Sequence, residues 1–182
     1  RGHGDGALEV ILHEDEGAHG VLYVANAGCP VDHDDFEAIC SLGLSTKRPD
    51  EGIGNKGVGF KSVLQLADSP EIYSASKKGA GRFDGYCLRF ARATDFDDVA
   101  ARVAPHHPGL ADALRENVAA LKVPVPLDDV PTRVAEWAAR GFETVVRLAL
   151  RSDQACGRAR QQMLELEASD VPFHLFLDRV AT

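Results

Sequence analysis

The chain has 182 residues, 45% of them hydrophobic and 26% charged, which is the composition of one globular domain with a sizeable core. Its formal net charge of −8 argues against direct nucleic-acid binding by this segment, because no basic patch is evident. No apolar run reaches the length of a membrane span, and the first residues lack the pattern of a signal peptide.

The cysteines give an indication of the compartment. Cys29, Cys40, Cys87 and Cys156 have no C-x-x-C spacing of the kind that zinc sites use. This pattern is typical of reduced, mostly buried thiols rather than of a disulfide framework, and it predicts a cytoplasmic protein.

The N-terminal part of the chain predicts a β-hairpin followed by a helix. β-Branched residues indicate strands over residues 7–12 and 21–25, with a turn between them. Asp32 has the position of an N-cap, and the helix that it opens is expected to end at Gly43. The acidic run at 32–35 also contains metal-ligating residue types, but helix capping explains it more simply.

A glycine-rich stretch follows. Gly54, Gly57 and Gly59 precede an apolar run at 62–67, which predicts a helix. Glycine permits positive φ and close backbone approach, and the helix N-terminus adds a partial positive charge. The stretch therefore predicts a phosphate cradle, with a plain surface turn as the alternative. Neither the dinucleotide fingerprint nor the Walker loop fits, because both need a preceding strand and residues 45–51 are polar.

The later elements alternate between strand and helix patterns. Strands are predicted over residues 71–75, 86–90 and 142–150, and the last of these places Thr144 and Val146 on one face. A helix is predicted over residues 158–166, and a further helix is predicted to begin at Pro172.

A helical insertion is predicted over about 95–140. Its central helix has apolar residues at helical spacing, namely Leu110, Leu114, Val118 and Leu121. Pro124 and Pro126 are expected to break this helix, and a shorter helix that contains Val134 and Trp137 is expected to stop near Gly141.

The order of these features resembles the GHKL superfamily, the ATP-binding domains of gyrase, heat-shock chaperone, histidine kinase and MutL type. The match is specific over residues 21–67, and residues 36–47 and 53–63 are most similar to the sacsin-like and NO VEIN-like subgroup. The resemblance implies the Bergerat fold, an α/β two-layer sandwich in which a mixed, mainly antiparallel sheet carries helices on one face.

The resemblance also implies a role for each matched residue. Asn26 stands where the family has an aspartate that accepts a hydrogen bond from the adenine amino group, and Gly28 matches the family's first glycine. Pro30 replaces the second glycine, and Thr144 resembles the late threonine on the adenine side of the pocket. The polar stretch at 43–53, bounded by glycines, is predicted to be a lid that orders on nucleotide binding. The remaining implied nucleotide-binding residues belong to this lid and to the glycine-rich stretch: Ser45, Thr46, Lys47, Gly54, Lys56, Gly57, Val58, Gly59, Phe60 and Lys61.

One family element has no counterpart in this chain. The N-box helix carries a catalytic acid and, four positions on, an asparagine that ligates Mg²⁺, and it is expected upstream of Arg1. Glu51 and Asn55 have this spacing but lie among glycines, so they cannot share a helical face. No catalytic or metal-ligating residue is therefore assigned, and the chain by itself is expected to bind ATP without appreciable hydrolysis. In the full-length protein, Mg²⁺-dependent hydrolysis would drive a conformational change.

The sequence thus predicts an ATP-binding domain of a larger protein, with ATP or ADP and further domains of the same polypeptide as its partners. A first alternative is a scaffold of the same fold that no longer uses nucleotide. Asn26, Pro30 and the missing N-box favour that scaffold, whereas the intact glycine-rich stretch opposes it. A second alternative, a Rossmann-type oxidoreductase, ranks lower because no strand precedes the glycines.

The phosphate cradle can be tested by the substitution Gly59→Val. A β-branched side chain blocks both positive φ and close backbone approach, so the variant should lose ATP binding while circular dichroism shows an unchanged fold. Calorimetry with ATP measures the loss. Normal ATP affinity in a folded Gly59→Val protein would place the cradle elsewhere.

Overall fold

The computed structural model describes residues 7–40, 60–107, 109, 112–113 and 123–168. Six strands in this part of the chain form one sheet: β1 Leu8–His13, β2 Val21–Asn26, β3 Glu71–Ser74, β4 Cys87–Phe90, β5 Pro124–Pro126 and β6 Thr144–Ala149. Their spatial order is β1-β2-β6-β3-β4-β5, and every neighbouring pair is antiparallel. The last strand in sequence therefore lies in the middle, between β2 and β3.

The elements bounded within the described residues also include four α-helices and one 3₁₀ helix. They are α1 His33–Cys40, α2 Ala93–Val103, α3 Thr132–Ala139, α4 Asp153–Glu167 and the 3₁₀ helix η1 Phe60–Gln65. The predicted N-cap of α1 is confirmed, because Asp32 Oδ1 accepts the N–H of Asp35 at 2.8 Å. Ser152 caps α4 in the same way through the N–H of Ala155 at 3.2 Å.

The two faces of the sheet are both covered. Face I, which carries Leu22, Ile72 and Leu148, packs against the helices α1 and α4 and against η1. Face II, which carries Tyr23, Tyr73 and Val145, packs against α3. Because side chains alternate along a strand, each central strand contributes to both apolar clusters.

The predicted α/β sandwich with a mainly antiparallel sheet is confirmed. The arrangement of its helices differs from the expectation of one covered face, since α3 lies on face II. The physical reason is that Tyr23 and Val145 on face II are as fully buried as the residues of face I and need an apolar cover. Val134 and Trp137 of α3 supply it.

The predicted strands and the hairpin are confirmed to within two residues, whereas three other elements differ. The helix expected at 62–67 is the 3₁₀ helix η1, and α4 begins at Asp153 rather than at Arg158. Pro124 and Pro126, which were expected only to break a helix, form the short strand β5. Proline is tolerated there because β5 lies at the sheet edge and pairs only with β4 among the described strands. Of the helix expected around Leu110–Leu121, the structure describes only residues 112–113, which are helical, and the element from Pro172 lies outside the described residues.

None of the four cysteines, all of which lie among the described residues, forms a disulfide bond, as expected. The expectation that most are buried is wrong, since Cys156 is buried, Cys40 and Cys87 are half-buried, and Cys29 is exposed. Cys29 lies in the loop after β2, where the chain leaves the sheet before α1 begins.

An ion pair at the start of α2 links the stability of the fold to pH. Arg89 donates two hydrogen bonds to Asp95 at 2.6 and 2.7 Å, and the N–H of Arg92 donates to the same carboxylate at 2.6 Å. The Arg89 guanidinium, followed by the Arg92 amide, holds the pKa of Asp95 well below its usual value. A depressed carboxyl pKa contributes stability that is present above the unfolded pKa of about 3.9 and is lost as the pH falls toward the folded pKa.

The substitution Asp95→Asn should therefore lower the thermal midpoint at pH 7 and reduce the loss of stability between about pH 5 and pH 2. Melting curves across this pH range measure both effects. The matched control is Asp98→Asn, because Asp98 is an exposed acid of the same helix. Equal pH profiles for Asp95→Asn and the wild type would contradict the assignment.

Candidate functional site

Three polar side chains lie side by side on adjacent strands at one end of the sheet. Asn26 of β2 pairs directly with Thr144 of β6, and Thr144 pairs with Ser74 of β3. Residues directly opposite in antiparallel strands share a face, with Cβ atoms about 5 Å apart. The three residues, named here the polar row, therefore lie together on face I.

Asn26 is exposed and organises the loop that follows it. Its Oδ1 accepts the N–H of Gly28 at 2.8 Å, which closes a tight Asx turn. A Cβ at Gly28 would lie 3.0 Å from that oxygen, so glycine fits this turn best. The amide oxygen has a second lone pair and the amide nitrogen has two donors, so Asn26 can contact a ligand while the turn persists.

Thr144 and Ser74 hold the same loop against the sheet. The Thr144 hydroxyl lies 3.4 Å from the carbonyl oxygen of Cys29 and 3.3 Å from Ser74 Oγ. Ser74 Oγ accepts the N–H of Val31 at 2.8 Å. The loop from Ala27 to Asp32 thus crosses over β6 and β3 before α1 begins.

Half-buried apolar residues continue from the polar row along face I. Val24 and Val146 are paired neighbours, one row below Asn26 and Thr144. Val146 packs against both the cluster under α4 and the cluster under α1. The strip between the two helices is therefore an apolar floor that leads away from the polar row.

The end of η1 lies at the opposite end of β6. The N–H of Arg151 donates to the carbonyl of Leu66 at 2.9 Å, and Arg151 Nη1 lies 3.3 Å from the carbonyl of Leu64. The six residue steps from Thr144 to Leu150 span about 20 Å at the usual strand rise. Val63 and Leu66 pack into face I, so the glycine-rich stretch leads into an element on the same face as the polar row.

A groove of about 620 Å³ adjoins the polar row on its outer side, with Val31 and Ala75 at the junction. Its walls include Lys77, Lys78 and Tyr86, and the hydroxyl of Tyr86 lies 3.1 Å from Nδ1 of His33. The groove thus combines two lysines with an aromatic wall.

The turn that carries the two lysines is held by the buried side chain of Glu143. Glu143 is 4% exposed, and its Oε1 accepts the N–H of Gly79 at 2.7 Å. The backbone of Glu143 also accepts the N–H of Ala75 and donates to the carbonyl of Asn26, each at 2.9 Å. Glu143 therefore joins the lysine turn to the polar row: its carboxylate holds the turn, and its backbone bonds to Asn26 and Ala75.

Of the predicted nucleotide-binding residues, the structure brings Asn26, Gly28 and Thr144 together. Phe60 and Lys61 open η1. The other predicted nucleotide-binding residues lie outside the described residues: Ser45, Thr46, Lys47, Gly54, Lys56, Gly57, Val58 and Gly59.

Two residues of this region, Ser74 and Glu143, were missed by the sequence reasoning. Ser74 is a buried polar residue of β3 and Glu143 is a buried polar residue just before β6, and buried polar groups need a hydrogen-bond partner. Ser74 closes the run Glu71-Ile-Tyr-Ser, where a third apolar residue would be the default. That interruption of the pattern was the available signal.

The acidic run at 32–35 caps α1, as described above. Among the described residues, no group of three or more histidine, cysteine, aspartate or glutamate side chains is arranged to hold a metal ion. In that same part of the chain, no helix combines the length and apolar character needed to cross a membrane.

No protein-family model matches the chain. Over 54 residues, which are 29% of this chain, the sequence is 44% identical to Protein NO VEIN of Arabidopsis thaliana. The matched segment is 2% of the length of that protein. The chain is therefore similar to a small part of a much longer protein.

Proposed function

We propose that this chain is a GHKL-type ATP-binding domain of the NO VEIN-like subgroup and that it binds ATP on face I. The observation that carries the proposal is the pairing of Asn26 with Thr144 on the two central strands. The family resemblance assigns adenine recognition to these two residues, which are 118 positions apart in the sequence (144 − 26). The partial identity to NO VEIN supports the same subgroup.

In this proposal the adenine lies at the polar row. The Asn26 amide oxygen accepts a hydrogen bond from the adenine amino group through the lone pair that Gly28 does not use. The Thr144 hydroxyl contacts the same edge of the base. A neutral amide is a weaker acceptor than the aspartate of the family, so the base contributes less affinity here.

The triphosphate then extends over the apolar floor toward η1. The glycine-rich stretch that precedes Phe60 would cradle it with backbone N–H groups, and Lys56 and Lys61 would add positive charge. The geometry supports this direction, because η1 packs on face I and its last residues contact the chain just after β6. In this proposal ATP is bound at its adenine end by the polar row and at its triphosphate end by the stretch before η1.

Magnesium and hydrolysis belong to the proposal only for the full-length protein. None of the residues assigned here is given the role of a catalytic acid or a metal ligand. Within this chain, the residues of face I bind and orient the nucleotide. ATP-dependent closure would then change the contacts with further domains of the same polypeptide.

A scaffold that no longer uses nucleotide is the second candidate, and one observation favours it. The loop after β2 satisfies itself, because Gly28 donates to Asn26 and Thr144 contacts Cys29. A dinucleotide-binding oxidoreductase is disfavoured, since that fold needs a parallel sheet and every described strand pair is antiparallel.

The substitution Asn26→Ala tests the adenine assignment. Loss of one hydrogen bond to the bound base should weaken ATP binding by roughly 1–2 kcal/mol, which is about 5- to 30-fold. Isothermal calorimetry with the 182-residue chain measures the change. The control variant is Gln161→Ala, because Gln161 is an exposed residue of α4.

Equal ATP affinity for wild type and Asn26→Ala would contradict the role of Asn26. Absence of ATP binding by the folded wild-type chain would instead favour the scaffold. A nucleotide panel extends the test, since only the proposed function predicts binding of ATP and ADP without binding of nicotinamide cofactors.

A further inference from the structure

Ser74 is completely buried at the end of β3, and its hydroxyl lies at the centre of several contacts. It accepts the N–H of Val31 at 2.8 Å, and it lies 3.3 Å from Thr144 Oγ1. The carbonyl oxygens of Ala75 and Glu143, at 3.3 and 3.4 Å, are alternative acceptors for its single proton. A buried hydroxyl is unfavourable unless it is paired, so these contacts explain a serine in an apolar strand.

The bond to Val31 fixes the far end of the loop that follows Asn26. The near end is fixed where the N–H of Ala27 donates to the carbonyl of Ala7 at 2.9 Å. Between these two anchors lie only Gly28, Cys29 and Pro30. Gly28 determines the orientation of the Asn26 amide, and Cys29 contacts the Thr144 hydroxyl.

We propose that Ser74 is a positioning residue for base recognition, acting through the loop and through Thr144. This inference rests on the proposed ATP-binding function. The hydroxyl holds the Asn26 amide and the Thr144 hydroxyl in the orientation that reads the adenine edge. Ser74 itself is covered by the loop and touches no ligand.

This role of Ser74 predicts different effects on the binding of the base and on the binding of the phosphates. Loss of the Ser74 hydroxyl would leave the Val31 N–H without its acceptor and release the loop, which disorders the groups that read the base. The proposed phosphate cradle belongs to a different segment of the chain, residues 54–59, so the affinity for phosphate should not depend on the Ser74 hydroxyl. Binding of ATP should therefore fall while binding of inorganic tripolyphosphate stays the same.

The experiment measures the affinity of the 182-residue chain for ATP and for inorganic tripolyphosphate by calorimetry. Ser74→Ala should lose about tenfold in ATP affinity and change by less than about twofold for tripolyphosphate. Ser74→Thr and Ser74→Val form a matched pair, because they add the same volume and differ in the hydroxyl. The threonine variant should restore ATP affinity to within about threefold of the wild type, and the valine variant should resemble alanine.

A parallel fall in both affinities would show a general structural role and overturn the proposal, as would wild-type ATP affinity in Ser74→Ala. If neither larger side chain folds in the buried site, the comparison of wild type with Ser74→Ala for the two ligands decides by itself. A folded wild type that binds no ATP would overturn the proposed function together with this inference. ATP binding that does not depend on Ser74 would overturn this inference alone.

Discussion

The insertion of β6 between β2 and β3 is the constraint on which the candidate site depends. Antiparallel pairing on both sides of one strand fixes two registers at once, so Thr144 must face both Asn26 and Ser74. A slip of one residue would turn Thr144 to the other face and remove the polar row. The buried residues Val145 and Leu148 hold the register, because each matches a different apolar cluster.

The opposite face of β6 contributes a charged clamp to the same registers. Arg147 lies 3.0 Å from both carboxylate oxygens of Glu71 and donates to the hydroxyl of Tyr23 at 3.2 Å. Burial opposes the charge on Arg147, but the Tyr23 hydroxyl and the Glu71 carboxylate outweigh it and raise its pKa. These three residues come from the three central strands, so the clamp and the polar row impose the same alignment from opposite faces.

The loop after β2 connects these aligned strands to the proposed base-binding site. It leaves the sheet at Asn26, is tied down at Val31, and enters α1 through the cap at Asp32. A loop that is closed by its own hydrogen bonds suits two functions, a pre-organised reader of a base or a static cover of the sheet. The contacts of Asn26 and Thr144 are compatible with both functions. Binding of ATP distinguishes the first function from the second.

The sequence by itself determined the local elements. Alternating β-branched residues predicted the hairpin and β6, and the side chain of Asp32 predicted the start of α1, because these signals act between near neighbours. It also identified Asn26 and Thr144 as candidates through a family resemblance. It missed the strand β5, the early start of α4 and the roles of Ser74 and Glu143.

Only the tertiary structure decided which of these residues meet. The pairing of β6 with β2 and β3 depends on contacts between residues that are distant in sequence, and no local preference encodes them. The cover of face II by α3 arises in the same way, since Trp137 packs against Tyr23 across the fold. The strand β5 forms despite its prolines because β4 offers it an edge. The polar row therefore exists through long-range register, which is set when apolar clusters on both faces of the sheet are buried together.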